Sequence, residues 1–550
     1  MVKDYSILIG GAAGQGSRMA GLIIAKLFNQ LGYRIYIYED YQSLIRGGHN
    51  FSQIRASEKE FQSRKKEIDF LLALDKNTLN LHKKNLSKNG ILIFNGDKIE
   101  SKEGIGVPIE KITREAGGKP IMANTALISG FSKIVGIDWK ILEEVLRKEI
   151  KHEIDLNLKI GKKAYETSQN FSKITRVQPV SNFLLLTGNE ATALGLSKAG
   201  LKFYFAYPMT PATSIMNFLA KKEDFKVKVI QPENEISVIN MALGASFAGA
   251  KSAVGTSGGG FALMTEALSL SGQSETPILI IESQRGGPST GMPTYNSQGD
   301  LLFVLSAGHG DIPRFVIAPG DAAECLYYSG LGLNLAWKYQ TPVILLIDKD
   351  VSENTFCVNE KILNLIQSEK PLLWAKSGDY KRYKITEDGV SPLAFPGEKD
   401  AIVKADSYEH DEFGITIESE EVEKMQEKRL RKYETMKKAV EKLPAVKVYG
   451  NQNSNIALVA WGITKGAAKE IAENLGIKLI QPIIIEPFPQ KQMREVLKGV
   501  EKLFSIELNT TGQMAKVLNS QGIKVDGKIL KYNGRPFFVK EIEDKLKKLL

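Results

Sequence analysis

Some short apolar runs in this chain show none of the polar alternation of a half-exposed strand, and they end in loops rich in glycine, proline and hydroxyl residues. Pro277-Ile-Leu-Ile-Ile281 is the plainest case. Such a run suits a strand buried on both faces, as in a parallel sheet covered by helices. Phe203 to Tyr207 and Asn455 to Trp461 read the same way, and Ser252 to Thr256 is a further strand. Strands alternating with helical stretches predict an α/β fold throughout. At 550 residues, the usual size prior gives about three domains.

Loops at the carboxyl ends of parallel strands are where open α/β sheets bind ligands. Four such loops fall between Tyr207 and Thr294. In Tyr207-Pro-Met-Thr-Pro211 two prolines clamp the backbone and hold Met209 and Thr210 in an extended turn. The Thr210 hydroxyl can then donate to a carboxylate or carbonyl, although Thr210 or Thr213 could equally cap the helix that follows. Gln231-Pro-Glu-Asn-Glu235 opens a helix predicted over Ile236 to Ala250. A carboxylate there either serves the helix dipole or, if buried, acts as a proton partner. Thr256-Ser-Gly-Gly-Gly260 lets a ligand approach the backbone at a helix N-terminus. It lacks the Gly-Lys-Ser/Thr of a nucleotide-binding P-loop. Glu282 to Gly291 carries Arg285 before two glycines, a residue able to clamp a carboxylate with two hydrogen bonds.

Tyr-Pro-Met-Thr-Pro, Glu-Asn-Glu-Ile, Thr-Ser-Gly-Gly-Gly, Gln284-Arg-Gly-Gly-Pro-Ser-Thr-Gly-Met-Pro-Thr294 and Gln298-Gly-Asp300 through Gly308-His-Gly310 occur in this order over about a hundred residues. Together they resemble the 2-oxoacid:ferredoxin oxidoreductases, and within them the α subunit with its pyrimidine-binding domain for thiamine diphosphate. The resemblance implies that Glu235 meets the N1′ atom of the cofactor's aminopyrimidine. It makes Thr210 a substrate-binding residue and puts Arg285 beside the 2-oxoacid carboxylate or coenzyme A. Tyr207, Pro208 and Gly258 would line the cofactor. The implied reaction is oxidative decarboxylation of a 2-oxoacid, 2-oxoglutarate or pyruvate, to an acyl-coenzyme A and CO2, with electrons passed to ferredoxin. A relative acting on aryl or branched-chain 2-oxoacids, or a non-catalytic scaffold subunit, remains the alternative.

No Gly-Asp-Gly run followed by asparagine is present to hold Mg²⁺ and diphosphate. The two cysteines, Cys325 and Cys357, cannot ligate a four-cysteine cluster, so no metal is assigned to this chain. The resemblance therefore implies a β subunit that supplies the diphosphate site, Mg²⁺ and a [4Fe-4S] cluster, in a heterodimer or a dimer of heterodimers.

At the N-terminus, Tyr5 to Ile9 reads as a strand, Gly10 to Gly16 as a glycine turn, Ser17 to Leu31 as a helix and Tyr33 to Tyr38 as the next strand. A dinucleotide site fails on spacing, because Met19 stands where Gly or Ala is needed. The segment resembles instead the family's γ domain, fused ahead of the α portion. Coenzyme A would then meet Gly14, Gly16 and Arg46, the last in Arg46-Gly-Gly-His49. Beyond Val446 the chain resembles the family's transketolase C-terminal-like domain, where Glu507 and Arg535 read as turn anchors. The expected division is 1–178 (γ-type), 183–375 (pyrimidine-binding, a doubly wound parallel sheet), 376–446 (a connection with a charged, solvated or interface helix over Glu418 to Leu443) and 447–550.

Net charge is +10, but the lysines are scattered among many acids and no aromatic residues interleave with a basic stripe, which argues against nucleic acid. A basic face suits anionic substrates or an acidic ferredoxin. No apolar run approaches the roughly 18 residues of a membrane span. Met1-Val-Lys-Asp leads straight into a strand rather than a signal peptide, and two isolated cysteines fit a cytoplasmic setting.

Overall fold

Seven strands build the sheet that carries the four loops. Their order is Ile484–Glu486, Phe315–Ile317, Pro342–Asp348, Ile278–Gln284, Ser252–Thr256, Phe203–Phe205 and Lys228–Ile230. This is a computed structural model, and it describes residues 2–44, 47–178 and 183–550. Every neighbouring pair from Phe315–Ile317 to Lys228–Ile230 is parallel, and Ile484–Glu486 alone runs the other way. All residues of Ile278–Gln284 and Pro342–Asp348 are buried, which accounts for the apolar runs, Ile278 to Ile281 and Pro342 to Ile347, that begin them. Helices Glu235–Phe247, Gly258–Gln273 and Ala322–Tyr339 pack on the sheet.

A five-stranded sheet follows in the same unit, in the order Val446–Gly450, Lys478–Pro482, Ile456–Ala460, Lys502–Glu507 and Gly527–Leu530. Lys478 to Ile485 reads as one strand in the sequence, and the structure divides it. Pro482 has no N–H to extend a ladder, and the Ile483 carbonyl accepts from Ala318 N at 2.7 Å, which sends Ile484–Glu486 to the edge of the first sheet. Two polar links tie the sheets together: Gln298 Nε2 donates to the Trp461 carbonyl at 2.7 Å and its Oε1 accepts from Leu508 N at 2.9 Å.

The charged helix forms over Ser419–Val440, but it is not simply solvated. Its Lys428 and Lys432 are buried, and both pair with the carboxylate of Glu275. The helix is retained because opposite charge awaits it inside, something charge periodicity alone does not reveal.

The N-terminal sheet is eight-stranded: Ile105–Val107, Leu86–Asn95, Ile68–Ala73, Asp4–Ala13, Gly47–Ser57, Arg34–Asp40, Thr355–Asn359 and Phe183–Thr187. Asp4–Ala13 and Arg34–Asp40 are parallel but not adjacent, because Gly47–Ser57 lies antiparallel between them. Gly10 and Gly11 sit within the first strand, so the glycine turn is shorter than expected and centres on Gly14 and Gly16, with φ of 93° and 77°. Helix Ser17–Gln30 starts from this left-handed Gly16. The chain divides into two compact units, Met1–Leu185 with Asn354–Asn359, and Leu186–Glu353 with Glu360–Leu550.

Candidate active site

Four successive parallel strands each deliver one of the four loops to the same edge of the seven-stranded sheet. Across that edge the order is Glu235 after Lys228–Ile230, Thr210 after Phe203–Phe205, Gly258 after Ser252–Thr256, and Arg285 after Ile278–Gln284. Parallel strands fix this arrangement, since all their carboxyl ends point one way.

The turn at Thr210 is held from beneath. Asn189, in helix Gly188–Lys198, donates from Nδ2 to the Pro211 carbonyl at 2.8 Å and to Ser214 Oγ at 2.7 Å. Helix Thr213–Lys221 begins after Ala212 with no side-chain cap, so neither Thr210 nor Thr213 is spent as a cap. Arg285 Nη1 donates to the Thr210 carbonyl at 2.8 Å, which brings these two residues together and leaves the rest of the guanidinium fork for a ligand. Burial lowers the Arg285 guanidinium from its ordinary value without threatening its charge.

Glu235 is the first residue of helix Glu235–Phe247 and only 4% exposed. Capping falls to Asn234, whose Oδ1 accepts from Ser237 N at 2.9 Å. Glu235 Oε1 is buried and has no hydrogen-bond partner among the described residues. A Cβ added to Gly260 would lie 2.7 Å from that oxygen and 2.0 Å from Thr256 Oγ1, so only glycine fits beside it. Next to it, Gly259 faces open space. A buried acceptor without a donor is costly unless a partner arrives.

Beyond Arg285 the loop folds back on itself: Met292 N donates to the Gly286 carbonyl at 2.7 Å and Gly286 N to the Tyr295 carbonyl at 3.0 Å. Gly291, with φ of 51°, allows the close approach. The Arg535 guanidinium stacks 3.9 Å over the Tyr295 ring, and Asn296 N donates to the Gly534 carbonyl at 3.1 Å. Arg535 is thus an anchor for this loop. Glu507 is an anchor too, accepting from Met514 N, Ala515 N and Asn509 Nδ2.

Tyr207 and Pro208 stand exposed at the rim. Gly14 and Gly16 lie in the N-terminal unit, before helix Ser17–Gln30, and Arg46 lies outside the described residues. His49 of the same motif stacks on Phe51 and its Nε2 lies 2.8 Å from His82 Nε2. Among the described residues no three His, Cys, Asp or Glu side chains form a metal-binding group, and no helix is long and apolar enough to cross a membrane. Asn189 escapes a reading of the sequence, because it does not sit in a loop that looks like a ligand site, and Gln298, read only as part of a family motif, proves to be a link between the sheets.

The family of pyruvate flavodoxin/ferredoxin oxidoreductases matches twice, through its thiamine-diphosphate-binding domain over residues 195–430 and a second domain over 6–167. The α subunit of the 2-oxoacid:ferredoxin oxidoreductase of Saccharolobus solfataricus is 34% identical over 98% of this chain and 97% of its own length. This chain belongs to that family of α subunits. It is therefore part of an oxidoreductase that acts on 2-oxoacids with ferredoxin. The 2-oxoglutarate oxidoreductase subunit of Mycobacterium tuberculosis is 32% identical over 73% of this chain and 63% of its own length. The solved 2-oxoglutarate:ferredoxin oxidoreductase of Magnetococcus marinus, with 2-oxoglutarate, coenzyme A and succinyl-CoA bound, superposes with a TM-score of 0.90 at 29% identity, covering 100% of this chain and 99% of that one.

Proposed function

We propose that this chain supplies the pyrimidine half of a thiamine diphosphate site for the coenzyme A-dependent oxidative decarboxylation of 2-oxoglutarate. The unpartnered, buried Glu235 Oε1 carries the reading. When bound, the cofactor supplies the carbanion chemistry that lets the 2-oxoacid lose CO2. Glu235 exchanges a proton with N1′ and so selects the tautomer of the aminopyrimidine. Thr210 offers its hydroxyl to the substrate, and Arg285, braced on the Thr210 carbonyl, offers its remaining N–H groups to a carboxylate. Gly258 and its neighbours let the cofactor approach the backbone, and Tyr207 and Pro208 close the rim.

Exposed apolar surface beside the site favours a partner. Ile236, Met241 and Leu263 are exposed apolar side chains on the two helices that begin at Glu235 and Gly258, close to the proposed site. A β subunit covering them would bring the diphosphate site, Mg²⁺, a [4Fe-4S] cluster and the route to ferredoxin. In the same reading residues 1–178 form a γ-type part contacting coenzyme A through Gly14, Gly16 and Arg46. Residues 183–375 form the pyrimidine-binding part, 376–446 connect onward and 447–550 form the transketolase C-terminal-like part. Preference for 2-oxoglutarate is favoured by the whole-length likeness to an enzyme solved with that acid.

The test is methyl-viologen reduction by the co-expressed α and β subunits with coenzyme A and 2-oxoglutarate, pyruvate or an aryl pyruvate. The expectation is fastest turnover with 2-oxoglutarate. Glu235→Gln should lower it by about 10²–10⁴-fold, the usual worth of a positioned acid–base group, while the subunits still assemble. Near-normal turnover of Glu235→Gln would sink the assignment, and a higher rate with pyruvate or an aryl pyruvate would reassign the substrate.

A further inference from the structure

We infer that Glu282 and Asp300 hold one proton between them and that this carboxyl pair sets the Gly258–Gly260 turn beside Glu235, making both of them positioning residues for the aminopyrimidine. The inference rests on the reading of Glu235 given above. Glu282 is the fifth residue of strand Ile278–Gln284 and is fully buried. Among the described residues neither of its carboxyl oxygens meets a backbone or side-chain donor. An ionised carboxylate cannot be left so in a dry interior. Glu282 and Gln284 share one face of the strand, and Gln284 Oε1 accepts from Asp300 N at 3.0 Å, which brings Asp300 to that face. Two carboxylates repel, whereas a carboxylic acid and a carboxylate share a short, charge-assisted hydrogen bond.

The electrostatics agree with that geometry. Burial, and then the Asp300 carboxyl, push Glu282 well above the ordinary carboxylate range. Burial lifts Asp300 to about 6, with the hydrogen bond to Glu282 pulling the other way. Above that pH the proton sits on Glu282 and the charge on Asp300. The charged side chains on neighbouring elements are Glu235 across the turn, Asp348 opposite Gln284 on the next strand, Arg285 beyond the strand end, Glu266 on helix Gly258–Gln273, Glu324 and Lys338 on helix Ala322–Tyr339, and Lys349, Asp350 and Glu353 on helix Lys349–Glu353. None of these enters the balance of the pair.

Position gives the pair its role. A Cβ on Gly258 would lie 2.4 Å from Asp300 Oδ2, so the carboxylate lies against the first residue of the 16-residue helix Gly258–Gln273. A negative charge is favoured at that end of a helix. Asp300 is itself held in place, its N–H donating to Gln284 Oε1 at 3.0 Å. Two residues on, Gly260 lies against Glu235 Oε1. The turn is thus gripped by Asp300 on one side and touches the proton-exchanging carboxyl on the other.

The experiment uses the co-expressed complex and has two readouts. Infrared spectra between about pH 5 and 8 should show a protonated-carboxyl band that persists at the upper end and is missing in Glu282→Gln. A spectrum without it overturns the shared proton. In the second readout, Asp300→Asn should lose the acidic limb of the kcat profile near pH 6. Turnover and thiamine diphosphate affinity should drop toward a hundredfold, the scale on which a displacement of about 1 Å at a reacting group is felt. Glu282→Leu should copy that loss, and Glu282→Gln, which still donates to Asp300, should restore the limb. An Asp300→Asn variant with the parent's limb and cofactor affinity overturns the inference. If Glu235→Gln is inactive in the same assay, only the pairing fails; if it is active, the underlying reading fails with it.

Discussion

Glu235 and Glu275 are both buried glutamates of the same unit, and their surroundings could hardly differ more. Glu275 accepts from Lys428 Nζ at 2.6 Å and from Lys432 Nζ, while Arg382 Nη2 donates to its backbone carbonyl at 2.8 Å. Burial alone would raise its carboxyl, but Lys428, Lys432 and Arg382 hold it well below the ordinary carboxylate range. Among the described residues Glu235 forms no ion pair, and its Oε1 has no hydrogen-bond partner. A satisfied charge anchors structure, and an unsatisfied one awaits a ligand. Burial alone does not separate the two cases. The partners do.

The largest structural effect should come from Glu275→Gln. It would leave two buried ammonium groups without a counter-charge, a loss of about 3–5 kcal/mol in stability. The sign with pH follows from the depressed carboxyl. Its stabilisation is present above the unfolded value of about 4.3 and is lost as pH falls below it, because the unfolded chain takes up the proton first. Chemical denaturation at neutral pH and again near about pH 3.5 measures both, and the gap between parent and variant should shrink at the lower value. An equal gap at both would mean that the cluster acts through packing rather than charge.

Gly260→Ala probes the opposite member of the comparison. The new methyl would press on Thr256 Oγ1 and Glu235 Oε1 inside a packed turn, at a cost of about 1–3 kcal/mol. Turnover should fall further than stability suggests, since the displaced group is the one proposed to exchange a proton with the cofactor. Adding Thr256→Ala removes the closer clash and should recover part of the activity. No recovery would mean that the turn, rather than crowding at Glu235, limits the reaction.

The elements that local chemistry dictates are legible in the amino-acid order. Ile278–Gln284 follows from Pro277 to Ile281, and the four loops follow from the prolines and glycines that bound them. What stays hidden depends on contacts far apart in the chain. Lys428 and Lys432 look like one face of a solvated helix until Glu275 is placed against them, 153 and 157 residues away. Asn189 bonds the Pro211 carbonyl from 22 residues upstream. Strand Gly47–Ser57 goes unread in the sequence, since two glycines at its start mask a segment whose last eight residues are mostly buried. Glu282 looks like no more than the end of an apolar run, and only its lack of donors distinguishes it.

The smallest effect should separate the cap from the acid at adjacent positions. Acidic residues in a helix's first turn usually serve its dipole, and by that rule Glu235 would be a helix-stabilising residue. The structure gives the work to Asn234, whose side chain accepts from Ser237 N at 2.9 Å. Asn234→Ala should therefore cost about 1 kcal/mol of stability, and Asn234→Ser should restore most of it, because serine caps nearly as well. Neither should approach the loss of turnover expected of Glu235→Gln. Conversely, Glu235→Gln should leave the unfolding midpoint unchanged or raise it, since it replaces a buried carboxyl that lacks a partner. If Glu235→Gln instead lowers the midpoint while Asn234→Ala does not, then Glu235 stabilises the helix after all and its unpartnered oxygen loses its claim as the mark of a waiting ligand.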